Sequence, residues 1–291
     1  MNLIEMRFPG GVAKTLTLSY DDAVQEDFRL IKIMKQYGLK GTFNINSNDY
    51  KEDGYYKDGD SLIGRRMPIS KATALYGQEG IEPALHSLTH AHLETLPKAQ
   101  IAYEIVKDRE NLEKQFDHIV RGMAYPFGTY NNDVISVLEE CGIVYCRTVK
   151  STGRFDLPTD WLRLDPTCHH NDPRLSELTR KFVDESPDSN RRPWSVCRPW
   201  MFYLWGHAYE FASNDNWEII ENFAKEISGK PDIWYATNIE IYEYVANFKR
   251  LVFSMDLERV KNPTAQDLWL MKNQTLFHIP AGKTVSLHCT D

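Results

Sequence analysis

The sequence predicts an α/β protein: a closed or nearly closed barrel of parallel βα units over residues 1–250, with a small β-rich extension, 251–291, packed on it. Three observations lead there. Short apolar runs of strand character alternate with amphipathic helical runs seven or eight times. A chain of 291 residues is long for one domain but ordinary for a single barrel. After Arg250 the alternation stops, and only short strand-like runs remain. A flat doubly wound sheet is the alternative arrangement of the same units.

In chain order, 14–19 reads as the first strand and 25–37 as a helix. Phe28, Ile31, Met34 and Tyr37 recur there at helical spacing, and Gly38 supplies a stop. Residues 41–46 and 81–85 read as strands. The 97–116 segment is a long amphipathic helix with Ile101, Ile105, Leu112 and Phe116 on or near one face. Then come a strand at 120–124, a helix at 133–141 ended by Gly142, and a strand at 143–149. Strands follow at 162–167, 201–205 and 233–236, with helices at 173–183, 215–227 and 239–250. Residues 48–66, rich in Asp, Gly, Lys and Tyr, read as a long loop, as do 186–199 with three prolines and three arginines. In the extension, 251–253, 268–271 and 284–287 read as short strands, too little chain to fold securely alone.

Composition narrows the function classes. The net charge is −7 with a pI near 5.8 and no Lys/Arg-rich run, which argues against a nucleic-acid or anionic-membrane partner. Cys141, Cys146, Cys168, Cys197 and Cys289 are odd in number and form no CxxC pair, so buried free thiols in a reducing compartment are expected. The first residues carry no basic-then-apolar pattern, and no segment is long and apolar enough to span a bilayer. A cytoplasmic location is the resulting expectation. Oligomeric state is left open.

Barrel active sites lie at the carboxyl ends of the strands, so those ends carry the functional reading. The first strand delivers Asp21-Asp22, and adjacent carboxylates after a buried strand are costly unless something positive accompanies them. A metal ion explains the pair economically; a helix cap is the alternative. The 81–85 strand leads into His86-Ser87-Leu88-Thr89-His90, where histidines four apart on a helical turn would reach one ion, while His92 reads as a surface residue. Two histidines and one carboxylate leave a zinc position open for water. The turn Tyr125-Pro126-Phe127-Gly128 can aim a backbone N–H at a developing oxyanion, or be simply a loop. Strand 201–205 delivers His207, either a general acid or a core histidine. His169 and His170 either line the pocket or cap the helix after them. Tyr125, Pro126, Trp161, His169, His170 and Trp205 are the candidate substrate-binding residues.

The order of these motifs resembles the polysaccharide deacetylases of carbohydrate esterase family 4, the NodB homology domain. Ser19-Tyr20-Asp21-Asp22-Ala23 is similar to that family's Thr-Phe-Asp-Asp-Gly, and 86–90 matches its His-Ser/Thr-x-x-His. Tyr125-Pro126-Phe127-Gly128 resembles its Arg-x-Pro-Tyr/Phe-Gly turn, and 203–207 its late Leu-x-Leu-x-His element. The resemblance runs over about 12–245 and implies a distorted (β/α)7-8 barrel. It implies Asp21 as general base, Asp22, His86 and His90 as metal ligands, Phe127 as oxyanion donor through its backbone N–H, and His207 as general acid. Zinc is the expected metal, with cobalt, nickel, manganese or iron as alternatives. The implied activity is removal of acetyl groups from an N- or O-acetylated oligo- or polysaccharide.

Two departures stand out. Where the family has an arginine steadying its catalytic aspartate, this chain has Ala124; Arg121 is three residues away. The family's Asp-Trp element, which tunes the acidic histidine, has Asp160-Trp161 as its only counterpart, at longer spacing. Two other functions stay in view: a same-fold hydrolase of a small non-carbohydrate amide, and a catalytically silent carbohydrate-binding protein using Trp161, Trp200, Trp205 and Tyr209.

Overall fold

The computed structural model describes residues 4–50, 54–58, 61–189 and 197–288. Its centre is a sheet of eight parallel strands: β1 (Lys14–Asp21), β2 (Gly41–Ile45), β3 (Ile81–Leu85), β4 (Gly122–Ala124), β5 (Tyr145–Arg147), β6 (Cys168–His169), β7 (Trp200–Gly206) and β8 (Ile233–Tyr235). The order is β5-β4-β3-β2-β1-β7-β6, and β8 pairs with the first half of β1. Every pairing is parallel. Leu164, just ahead of β6, bridges Arg147 of β5 while β6 itself pairs with β7. Residues 164–169 thus join the two edges, and the sheet curls into a distorted barrel.

β1 is buried at all eight positions, as a central parallel strand covered on both faces must be. The helices are α1 (Asp27–Gln36), α2 (Ile69–Tyr76), α3 (Lys98–Phe116), α4 (Asn132–Glu140), α5 (Leu175–Asp184), α6 (Ala208–Ser213), α7 (Glu218–Ile227) and α8 (Asn238–Phe248). On α1 the buried stripe is Leu30, Ile31, Ile33 and Met34, whereas Phe28 is 44% exposed. Gly38 stops that helix at φ +66, and Leu39 N–H returns to the Met34 carbonyl at 2.9 Å. Among the described residues no helix is long and apolar enough to cross a membrane.

Three expectations change. The 48–66 stretch contains an antiparallel hairpin, Gly54–Asp58 with Ser61–Arg66, because backbone pairing does not require the apolar alternation that marks a half-buried strand. At 162–167 there is no strand. Trp161–Arg163 is a 3-10 turn capped by Asp160, whose carboxylate accepts Leu162 N–H at 3.0 Å, and Pro166 has no N–H for a ladder. The short helices α2 and α6 were not foreseen. Cys146, Cys168 and Cys197 are buried and Cys141 is half-buried, and among the described residues none of the four is in a disulfide. Cys289 and 190–196, part of the predicted second loop, lie outside the described residues.

The extension forms two small antiparallel sheets. Val252–Phe253, Arg259–Lys261 and Thr284–Ser286 make one; Leu268–Lys272 and Thr275–Ile279 make the other together with the N-terminal Ile4–Arg7. A single apolar cluster joins Leu268, Leu270, Ile279 and Leu287 to barrel residues Tyr145, Met201, Tyr203 and Trp205.

Candidate active site

The carboxyl ends of β1, β3, β5 and β7 converge on one cleft of about 620 Å³. Asp21 ends β1. Its Oδ1 accepts from Asn44 Nδ2 on β2 at 2.8 Å, and its Oδ2 is paired with Arg147, the last residue of β5. Arg147 is fully buried, donates to the Thr148 carbonyl at 3.1 Å and stacks its guanidinium on the Trp205 ring at 4.3 Å. Burial pushes the Asp21 carboxyl up, but Arg147, then His86 and His207, and the Asn44 hydrogen bond outweigh it and hold the pKa at about 2.

Asp22 turns away from Asp21 through a positive φ of 77°, followed by Ala23 at 51°. Its Oδ1 lies 3.8 Å from His86 Nε2 and 3.7 Å from His90 Nε2, and it is buried with no hydrogen-bond partner among the described residues. The three ligand atoms are within 4.8 Å of one another. Donors around a tetrahedral zinc, at ~2.1 Å each, lie about 3.4 Å apart, so the set fits a single ion. His86 Nδ1 donates to the Ala124 carbonyl at 2.9 Å, which leaves Nε2 for a metal. Burial lowers both histidines, His90 to about 4 with His86 adding to the effect, so both are neutral, as ligands must be.

The histidines do not share a helical turn. Residues 86–90 are a loop in which Ser87 (φ 60) and His90 (φ 54) are left-handed. It is held from outside. Asn46 Nδ2 donates to the carbonyls of His86 and Ser87, Asp108 of α3 accepts His86 N–H at 3.2 Å and Ser47 N–H at 2.9 Å, and Glu104, one turn earlier, accepts Thr89 N–H at 2.9 Å.

His207 follows β7. Its Nε2 lies 3.8 Å from Asp21 Oδ2 and 3.9 Å from Asp22 Oδ2, while Nδ1 lies 3.1 Å from Glu210 Oε1. Burial pulls its pKa down, but the Glu210 hydrogen bond and the two aspartates raise it to about 9. Phe127 also has a left-handed φ of 58° at the cleft. Its ring lies flat on His92, centroids 3.8 Å apart and 7° between planes, so His92 lines the cleft instead of pointing elsewhere. Left-handed backbone in side-chain-bearing residues costs about 1–2 kcal/mol each, and here it gathers at Asp22, Ala23, Ser87, His90 and Phe127.

Residues 10–146 match the family model for polysaccharide deacetylases. That match covers just under half of this chain. Two curated relatives are a Staphylococcus aureus poly-beta-1,6-N-acetyl-D-glucosamine N-deacetylase and the Bacillus subtilis protein YxkH. The first is 24% identical over 136 residues, 45% of this chain and 47% of the relative; the second is 21% identical over 130 residues, 44% and 42%. The chain thus spans less than half the length of either. A Mycobacterium smegmatis crystal structure, provisionally named a polysaccharide deacetylase, covers 84% of this chain and 94% of its own, at 14% identity and a TM-score of 0.55, and shares the fold.

Against that family's pattern, the missing arginine is supplied from the next strand. Ala124 of β4 and Arg147 of β5 are register partners, so Arg147 stands beside the vacated position at the same level. Arg121 is elsewhere, paired with Glu243 at 2.5 Å at the surface. Asp160 is not the partner of His207. It caps the turn at Leu162 and pairs with Arg163, while Glu210 faces His207. Of the candidate substrate residues, Tyr125 and Trp205 line the cleft, joined by Tyr209 and Val149. Pro126 is buried as the first residue of the turn, and Trp161 packs edge-on against Tyr242 at 5.3 Å because the 3-10 turn carries it away. His169 and His170 do not line the cleft; they meet Glu210, since β6 ends beside β7 at the level of Trp205. Sequence reasoning missed Asn44, Arg147 and Glu210. Glu210 alone had a local signal, three residues after His207 on the following helix.

Proposed function

We propose that the protein is a metal-dependent deacetylase removing acetyl groups from an N- or O-acetylated carbohydrate. One observation carries the reading: Asp22, His86 and His90 converge their ligand atoms on one point, with Asp21 and His207 Nε2 beside it. Asp22, His86 and His90 would hold the ion, with zinc expected. Bound there, a divalent metal acidifies a water and polarises the acetyl carbonyl.

The remaining chemistry belongs to the chain. Asp21, kept ionised by Arg147, takes the proton of the attacking water. The Phe127 N–H, on its left-handed turn, serves the oxyanion developing on the acetyl group. His207, held as a cation, gives its Nε2 proton to the departing amine or alkoxide. An amide needs that proton most, because an amide anion leaves poorly. Tyr125, Trp205 and Tyr209 give the cleft aromatic walls suited to a sugar and its acetyl group.

The test is metal analysis of purified protein followed by acetate release from N-acetylated chito-oligosaccharides and O-acetylated xylo-oligosaccharides. One equivalent of metal and chelator-sensitive acetate release are expected. Turnover of small amides with none of acetylated sugars would overturn the carbohydrate assignment.

A further inference from the structure

Behind His207 lies a group of side chains that the hydrolytic steps above do not use. Glu210 Oε1 faces His207 Nδ1 at 3.1 Å, and its other oxygen lies 2.8 Å from His170 Nε2, 3.2 Å from His169 Nε2 and 3.1 Å from Asn171 Nδ2. One carboxylate therefore meets four nitrogens. The protons can be placed. His169 Nδ1 accepts the Asn171 N–H at 3.1 Å, so its own proton is on Nε2, facing Glu210. His170 is buried and stacked between Tyr20 and Phe211, at centroid distances of 5.8 and 4.0 Å. A Cβ added to Gly206 would come within 2.0 Å of His170 Nδ1, so the ring packs directly against the end of β7 and needs glycine there.

We propose that Glu210 is the positioning residue for His207, and that His169 and His170 exist to hold Glu210. This rests on the deacetylase reading. Glu210 sits in the first turn of the six-residue α6, where a glutamate has free rotamers. The two histidines arrive from the end of β6, registered on β7 with His169 opposite Trp205, and remove that freedom. The fixed carboxylate accepts a hydrogen bond from His207 Nδ1–H, and that choice turns Nε2 to Asp21 and Asp22. Without it, a neutral His207 is free to carry its proton on either nitrogen and to rotate in the cleft.

The experiment uses the zinc-loaded full chain with Glu210→Ala, Glu210→Gln and His169→Ala. Two substrates are compared: an N-acetylated chito-oligosaccharide, whose amine needs a proton to leave, and 4-nitrophenyl acetate, whose phenolate does not. Glu210→Ala should lower kcat on the amide about 100-fold, and at least tenfold more than on the ester. Glu210→Gln, which keeps an acceptor for Nδ1–H, should recover about tenfold of the loss. His169→Ala should show the same substrate bias, smaller in size. Imidazole ¹⁵N spectra should show the His207 Nδ1–H in wild type and its loss in Glu210→Ala. Equal losses on both substrates, or an unchanged Nδ1–H signal, would overturn the proposal. So would a second equivalent of zinc that Glu210→Ala releases, since the group would then be a metal site. A wild type inactive on the amide but with the Glu210-dependent signal would remove the deacetylase reading and leave the positioning intact.

Discussion

At the scale of single residues, the site depends on charges that are matched where they are buried. Asp21 is a buried carboxylate with Arg147 on one oxygen and Asn44 on the other. Arg147 answers to Trp205 as well, with its guanidinium carbon over the ring at 4.3 Å from the centroid. Replacing Arg147 with Met should leave the Asp22, His86 and His90 ligand set, and therefore the bound metal, in place. It should cut kcat at least tenfold. Breaking one side of a buried pair costs about 3–5 kcal/mol, so a parallel loss of stability is expected in urea unfolding. Metal content, acetate release and the urea midpoint together check this. A variant as active as wild type would show that Asp21 does not depend on Arg147.

At the scale of elements, α3 is more than a covering helix. Glu104 and Asp108, one turn apart on it, accept backbone N–H groups from the His86–His90 loop and from Ser47. These bonds fix a loop containing two left-handed residues. Asp108→Ala should therefore weaken metal binding about 10–100-fold, as loss of an outer partner does, without touching a ligand. Competition with a chromophoric chelator measures it; unchanged affinity would mean the loop holds its shape unaided. A second buried acid, Glu82 on β3, has a different role. Its carboxyl is pushed up to about 7 by burial, against hydrogen bonds from Tyr145, the Ile239 N–H and Thr42. With the folded pKa above the ordinary 4.5, the native state holds this proton more tightly than the unfolded chain does. That contribution is complete below about pH 4.5 and disappears as pH rises through 7. At 1.36 kcal/mol per unit, wild type should lose up to about 3 kcal/mol relative to Glu82→Gln between pH 4.5 and 8. Urea unfolding of both proteins at the two ends of that range gives the difference, and a constant gap would count against the shift.

At the scale of the whole molecule, the extension and the barrel share one apolar cluster, and the N-terminal strand Ile4–Arg7 completes an extension sheet. The two should unfold together. Leu270, fully buried in that cluster, should cost about 2–5 kcal/mol when changed to Ala, in a single cooperative transition. Two separate transitions by fluorescence and circular dichroism would show that the extension melts on its own. The same shared core links the extension to the site: Trp205 belongs to it, and Trp205 carries the Arg147 stack.

The sequence by itself determined which strand ends meet at the cleft. Asp21, Asp22, His86, His90 and His207 stand beside runs of apolar residues that only a buried strand explains, and a parallel barrel delivers such ends to one face. Alternating strand and helix patterns are local, so most element positions were legible too. Partnership was not. Ala124 shows that an arginine is missing, but only the register of β4 against β5 shows that Arg147 stands at the same level. Likewise Asn44 meets Asp21 because β2 pairs with β1 at that position, and Glu210 gathers His169 and His170 because β6 ends beside β7. The spacing of His86 and His90 suited a helical turn as well as a loop, and the carboxylate acceptors on α3, with the Asn46 amide donating from just after β2, decided for the loop. Pairs far apart in the chain are chosen by strand register and packing, and a single chain read in order contains neither.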